Sequence, residues 1–321
     1  MADPERMKPA PYYESRFVRA NHPSAPQALW LRETLLVPSV GDAVADVWVM
    51  EFDPEGAGNR AIKVGHPLSS AEYSEDPWTA RIAGATITDT SVRGTFEVSG
   101  RTATWSLDVT PGTAQAVKLL TDRGYRARFP TAKTMVRHPL ATFDGTLDLD
   151  GTVTVAGWRG SVNHNWGRRH TPSYAFGQVC GFDDAADSSL EVVTARAAVG
   201  PVSLPPATLF VLRHAGREYA VRSILETRRT HGTYRPYAST FGGSVGRAVI
   251  EGELTAQPAD VIGLTYADTT GHTKYCYNSA LATCRIRLSD SALGTVELVA
   301  TRRAMFEILL PEPRADVALL A

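Results

Sequence analysis

Cysteine is scarce in this 321-residue chain: Cys180, Cys276 and Cys284 are odd in number and hold no C-x-x-C pair, so neither a disulfide framework nor a zinc site is expected. A reducing compartment fits. No window reaches the roughly 18 apolar residues of a membrane-spanning helix. The opening MADPERMKPAPYYESRF sets charges and prolines where a signal peptide has its apolar stretch. The expectation is a cytoplasmic protein without stable membrane insertion. Excess charge is missing as well. With 33 basic and 34 acidic residues the net charge is −1, which argues against nucleic acid or an anionic membrane surface as partner. His164 and His170 are six apart, which is neither helical nor strand-like ligand spacing, and no histidine or cysteine cluster stands elsewhere. No metal and no cofactor are expected.

Helical periodicity is also rare. Only GTAQAVKLLTDRG, residues 112–124, carries a helical apolar face, with Gly124 as its stop. What abounds is short runs rich in Val, Thr, Leu and aromatics, such as QALWLRETLLV, DVWVMEF, SLEVVTARAAV and TVELVATRRAMFEILL, punctuated by the turn signals SGR, DLDG, HAGR and DTTGH. The pattern predicts an all-β protein of closed barrels or sandwiches, since closure removes exposed strand edges. The length allows two domains, and the polar stretch CGFDDAADSS, 180–189, is the expected seam. This divides the chain into an N-terminal barrel, 1–182, and a C-terminal barrel, 183–321.

The densest chemistry lies in GWRGSVNHNWGRRHTPSYAFGQVCGF, residues 157–182. If both of its halves are extended, alternation puts His164 and Trp166 on one face, and Tyr174, Phe176, Gln178 and Cys180 on one face of the next strand. Pairing of the two strands would gather an imidazole, an indole, a phenol and an amide into one wall, as in small-molecule pockets. A structural role for His164 and Trp166, packed and hydrogen-bonded in the core, is the competing reading.

Four blocks carry a resemblance: YYESRFVRANHPSAPQALWLRETLL, FPTAKTMVRHPLATFDGTLDLDG, GWRGSVNHNWGRRH with its aromatic sequel, and YADTTGHTKYCYNSALA. In their order and spacing the chain resembles the hydroxyneurosporene synthase (carotenoid 1,2-hydratase) and AttH-like lipocalin-related proteins, to which natural-product cyclases and Diels–Alderases are akin. The resemblance implies two consecutive lipocalin-like antiparallel β-barrels packed together, with an apolar cavity near HNWG. Tyr174 and Phe176 stand where such proteins commonly carry Trp-x-Trp, and the Arg168-Arg169 pair is more basic than their pattern.

Two chemistries suit such a cavity, both on a hydrophobic polyene or terpenoid-like partner. Hydration or cyclisation of an alkene needs a carboxylic acid held protonated by burial, and aromatic faces to stabilise a carbocation. The resemblance implies an Asp acid beyond His-x-Trp, but Asp183 and Asp184 read as turn residues, and Glu191 is the nearest carboxylate with strand-like neighbours. A pericyclic ring closure would instead need a folded substrate and donors such as Trp166, Tyr174 and Gln178. A non-catalytic carrier of a lipophilic metabolite is the third reading.

The catalytic candidates are therefore His164, Trp166, Tyr174 and Glu191. Binding candidates are Phe176, Gln178, Trp30, Trp48, Lys133, Tyr275 and Tyr277. Arg32 shares a face with Trp30 and is expected at solvent. GGSVG, 242–246, matches the G-x-S-x-G elbow but lacks the strand-turn-helix context it needs, so a glycine-rich hairpin is expected around Ser244.

Overall fold

The computed structural model describes residues 10–98, 100–196 and 205–321, together with a short pairing of Ala198–Val199 to Val202–Ser203. Two antiparallel sheets curl into a nearly closed barrel and a half-barrel, as the all-β reading requires. In the first sheet, Tyr12–Asn21 pairs with Ala28–Val37 on one side and with the last strand, Thr152–Gly167, on the other. The second sheet repeats the plan: Ser173–Phe182 lies between Ala185–Arg196 and the last strand, Gly294–Leu310. Each sheet ends in a long hairpin, Ala132–Leu149 with Thr152–Gly167 and Thr273–Asp290 with Gly294–Leu310, and both hairpins are bent by register shifts. The duplication lies in the path of the chain and leaves no repeat in the residues.

The passage between sheets falls at 168–172. Ser173–Phe182, which a division at 182 assigns to the N-terminal half, is hydrogen-bonded into the second sheet. The polar segment after it is a hairpin tip in which Phe182 pairs with Ala185 next to Gly181 at φ 98°. Turn chemistry looks the same in a hairpin and in a linker, so polarity alone misplaces the seam.

The helix expected over 112–124 is not formed. Val117–Lys118 pairs with Met135–Val136, Leu119 and Leu120 are buried, and only Asp122–Arg126 is helical, with the Thr121 hydroxyl accepting from the Gly124 N–H at 3.1 Å. So short a helix is not stable by itself, and strand pairing captures the apolar residues before it. Ser244 lies inside the strand Ala238–Val245, which turns at Gly246 into Ala248–Thr255, so GGSVG is a hairpin and no nucleophile elbow.

Each sheet has its own concave core, one around Leu31, Val49, Trp105 and Leu107 and the other around Val179, Phe210, Ile250 and Phe306. A third cluster joins them: Phe17, Trp30, Trp48, Met50 and Phe52 of the first sheet meet Leu264, Cys276, Leu281, Met305 and Leu309 of the second. Strands covered on both faces lose the alternation of a half-exposed strand. Tyr12–Asn21 is accordingly buried at every position. All three cysteines are free and buried.

Candidate functional site: a ring-lined cavity between the sheets

Between the sheets the third cluster opens into a cavity of about 300 Å³. Phe17, Trp30 and Arg32 reach it from the first sheet, Tyr174, Phe176, Val193, Met305, Glu307 and Leu309 from the second, and Tyr266 from the strand Ile262–Ala267. These side chains converge because odd and even positions part: Met305, Glu307 and Leu309 face the cavity side, while Phe306 and Ile308 fill the second core. Phe17 meets Trp30 edge-on at 5.8 Å, and Tyr266 stacks on Trp48 at 5.2 Å.

Two carboxyl groups line this cavity, and against the desolvation of burial the Thr270 hydrogen bonds and the Lys274 charge hold Asp268 below its ordinary range, which leaves Glu307 as the candidate acid. It is 8% exposed, and the Tyr174 hydroxyl donates to its carboxylate. Burial pushes the Glu307 carboxyl above its ordinary range, a shift that the Arg32 guanidinium and the Tyr174 and Cys276 hydrogen bonds oppose. Burial likewise drives the Tyr174 phenol up, so it stays a donor. Glu307 is a residue that sequence reasoning missed. Its signal was a single acid within AMFEILL, an otherwise apolar strand end.

Arg32 is not at solvent as expected. It is 8% exposed, donates from Nε to the Ser15 hydroxyl at 2.7 Å and from a terminal nitrogen to the Tyr266 hydroxyl, and lies 4.9 Å from the centre of the Tyr266 ring. The second sheet covers the face that would otherwise be wet. The Trp30 indole N–H, by contrast, is buried without a hydrogen-bond partner among the described residues. Lys133 also borders the cavity, but its ammonium is spent on the Gly124 and Ala127 carbonyls, at 2.5 and 2.9 Å, and burial lowers its pKa.

Of the expected site residues, Trp30, Lys133, Tyr174 and Phe176 thus line one cavity, and the others stand elsewhere. Alternation holds within each half of the central block, yet its two strands do not pair. Thr152–Gly167 lies between Tyr12–Asn21 and Ala132–Leu149, and it is Asn165 that reaches the cavity. His164 and Trp166 point to the opposite, concave side of the first sheet. There His164 Nε2 is 2.9 Å from a Glu14 carboxylate oxygen and its ring is 4.4 Å from Trp166, which stacks on Tyr125. Glu14, Glu75 and His164 bring potential ligand atoms within 4.8 Å of one another. The Arg16 guanidinium already donates to both carboxylates, at 3.2 and 2.6 Å, and supplies the positive charge that a metal would bring.

Gln178 and Glu191 form a separate buried lattice where the sheets touch. Gln178 donates to Asn163 at 2.8 Å and to Glu191, accepts from Ser161 at 2.9 Å, and receives the Arg19 guanidinium. Burial pushes the Glu191 carboxyl up to about 8 against the pull of the Gln178 hydrogen bond and of Arg19, and one of its oxygens has no partner among the described residues. Trp48 packs beside the cavity under Tyr266, with the Lys63 ammonium 4.4 Å from its ring. Tyr275 and Tyr277 pack in the second core, where the Tyr277 hydroxyl accepts from the Arg314 N–H at 2.6 Å.

Known structures share this architecture. A putative AttH from Nitrosomonas europaea is 12% identical over 94% of this chain and 93% of its own, with a TM-score of 0.58. Kievitone hydratase from Nectria haematococca is 8% identical over 93% and 88%, with a TM-score of 0.53. CghA in complex with Sch210972 is 11% identical over 94% and 89%, with a TM-score of 0.61. No family model and no curated relative matches the sequence. The fold is the one these proteins have, in agreement with the AttH-like resemblance of the sequence.

Proposed function

We propose that this protein is a hydratase or cyclase that takes a hydrophobic polyene or terpenoid-like molecule into the cavity between its sheets, with Glu307 as the acid. The observation that carries the reading is a buried carboxyl group, its pKa raised by desolvation, on a stretch of wall that it shares with Tyr174, Phe176, Met305 and Leu309 and with the Arg32 guanidinium. A carrier has no use for such a group, whereas alkene protonation requires it. Glu307 transfers its proton to one alkene carbon, and the π electrons form the new C–H bond. The neighbouring carbon becomes cationic, and the faces of Phe17, Trp30 and Tyr266 stabilise it by roughly 0.5–2 kcal/mol each. Water then adds and returns a proton to the Glu307 carboxylate, or an internal alkene closes the ring and an adjacent C–H gives that proton back. Tyr174 holds the carboxylate by its hydrogen bond between the two transfers. A hydratase among proteins of the same fold accords with this reading.

A second reading draws on the Trp30 ring on the wall, whose buried indole N–H has no hydrogen-bond partner among the described residues. In a Diels–Alderase-type reaction, the class to which CghA belongs, the cavity folds the polyene, a turn of the Trp30 ring would bring its N–H to a substrate carbonyl, and no acid is consumed. Glu307→Gln separates the two. With polyene and terpenoid substrates assayed by mass spectrometry, the hydratase or cyclase reading expects Glu307→Gln to bind with unchanged affinity and lose turnover by 10²-fold or more. Turnover retained in Glu307→Gln and lost in Trp30→Phe would favour the pericyclic reaction.

A further inference from the structure

The net charge of −1 averages over a lopsided surface. Three segments border one mouth of the cavity: 118–133 contributes Phe129, Pro130 and Thr131 to the lining, the sheet-to-sheet passage contributes Arg169 and His170, and 222–229 contributes Ile224 and Thr227. Hydrogen bonds stitch them together. Thr131 donates to the Arg169 carbonyl at 3.2 Å, the Arg168 N–H donates to the Thr131 carbonyl at 3.2 Å, and Arg222 Nε donates to the Lys118 carbonyl at 2.7 Å. Together the three hold ten basic residues and two acidic ones, which leaves twenty-three basic and thirty-two acidic residues for the rest of the chain. Arg126, Arg128, Arg168, Arg169, Arg228 and Arg229 are exposed, and none of them makes a carboxylate ion pair among the described residues. Among these charges stand three of the few large exposed apolar side chains: Phe129 and Ile224, each 47% exposed, and Leu225, 75% exposed.

We infer that this mouth is a docking face for an anionic lipid bilayer, from which a lipophilic substrate enters the cavity. Unpaired guanidinium groups match the negative potential of such a surface, at about 1 kcal/mol per charge, or roughly fivefold in partition for each. Phe129, Ile224 and Leu225 would sit at the boundary between headgroups and acyl chains, as apolar residues of interfacial anchors do. Nucleic acid or an acidic protein would satisfy the arginines but leave bare aliphatic groups at the tips beside an opening into an apolar chamber. A substrate of the proposed class partitions into membranes, so the inference rests on the proposed function for its purpose. Its test does not, because binding is read without substrate.

The experiment is co-sedimentation of the full chain with vesicles of phosphatidylcholine alone or mixed with phosphatidylserine. Binding is expected only to the mixed vesicles, and is lost in high salt. The triple variant Arg126→Gln, Arg128→Gln, Arg228→Gln, whose residues do not line the cavity, should weaken binding on the order of a hundredfold with an unchanged circular dichroism spectrum. Leu225→Ser, which alters no charge, should weaken it severalfold. No binding to mixed vesicles at low salt would overturn the inference. So would undiminished binding by the triple variant, or binding to a short DNA duplex as tight as to vesicles and unaffected by Leu225→Ser.

Discussion

Raising the pH from 6.5 to 8 should destabilise this protein, and Glu191→Gln should make the fall measurably shallower. Burial lifts both Glu191 and Glu33 from an ordinary 4.5 to about 8. Between those values the native state keeps a proton on each group that the unfolded chain has released. The unfolded state then binds fewer protons, and stability falls with rising pH by up to 1.36 kcal/mol per unit for each group. His170 acts in the other direction. Burial lowers its imidazole to about 3, so its neutral native form adds stability as pH rises, but only up to its ordinary 6.5. Above 6.5 His170 no longer offsets the two glutamates, whose own combined slope approaches about 2.7 kcal/mol per pH unit until they begin to ionise in the folded state. In Glu191→Gln the new amide oxygen can accept the same hydrogen bond from Gln178, and the side chain has no proton to lose. Urea unfolding followed by tryptophan fluorescence at pH 6.5, 7.0, 7.5 and 8.0 measures the slope. Stability flat or rising across that window, or an unchanged slope in Glu191→Gln, would refute the assignment of buried, protonated glutamates.

Two further substitutions probe the framework. A Cβ at Gly160 would lie 1.8 Å from the Arg19 carbonyl oxygen on the paired strand, so Gly160→Ala should cost about 1–3 kcal/mol in urea unfolding because backbone has to move. His164→Ala removes a partner of buried Glu14 on the face away from the cavity and should cost about 1–3 kcal/mol, measured by the same unfolding, while the affinity for a cavity ligand stays unchanged.

Much of the fold was legible because strand signals are local. Alternation and turn residues sufficed for the all-β architecture, and alternation put Tyr174 and Phe176 on one face of their strand, the face that borders the cavity. What sequence could not supply was which strand lies against which. His164 and Trp166 share a face, as alternation dictates, but that face turns inward in the first sheet because Thr152–Gly167 pairs with the first strand and not with the next one. Arg32 was misassigned for the same reason: whether the outer face of a barrel is wet depends on a second sheet far along the chain. Glu307 is 133 residues from Tyr174, and only the pairing of Ser173–Phe182 with Gly294–Leu310 brings the two together. The basic rim escaped notice because net charge is a sum, whereas its arginines come from three separate stretches of sequence.

The central claim is that the space between the sheets receives a hydrophobic guest. It is tested most directly by titrating the protein with a fluorescent polyene fatty acid, with and without Val193→Trp, which adds an indole to the partly buried cavity wall. The account predicts saturable binding at one site, abolished or weakened at least tenfold by Val193→Trp in a protein that keeps its circular dichroism spectrum, and preserved in His164→Ala. Binding by Val193→Trp as tight as that of the unsubstituted chain would contradict it.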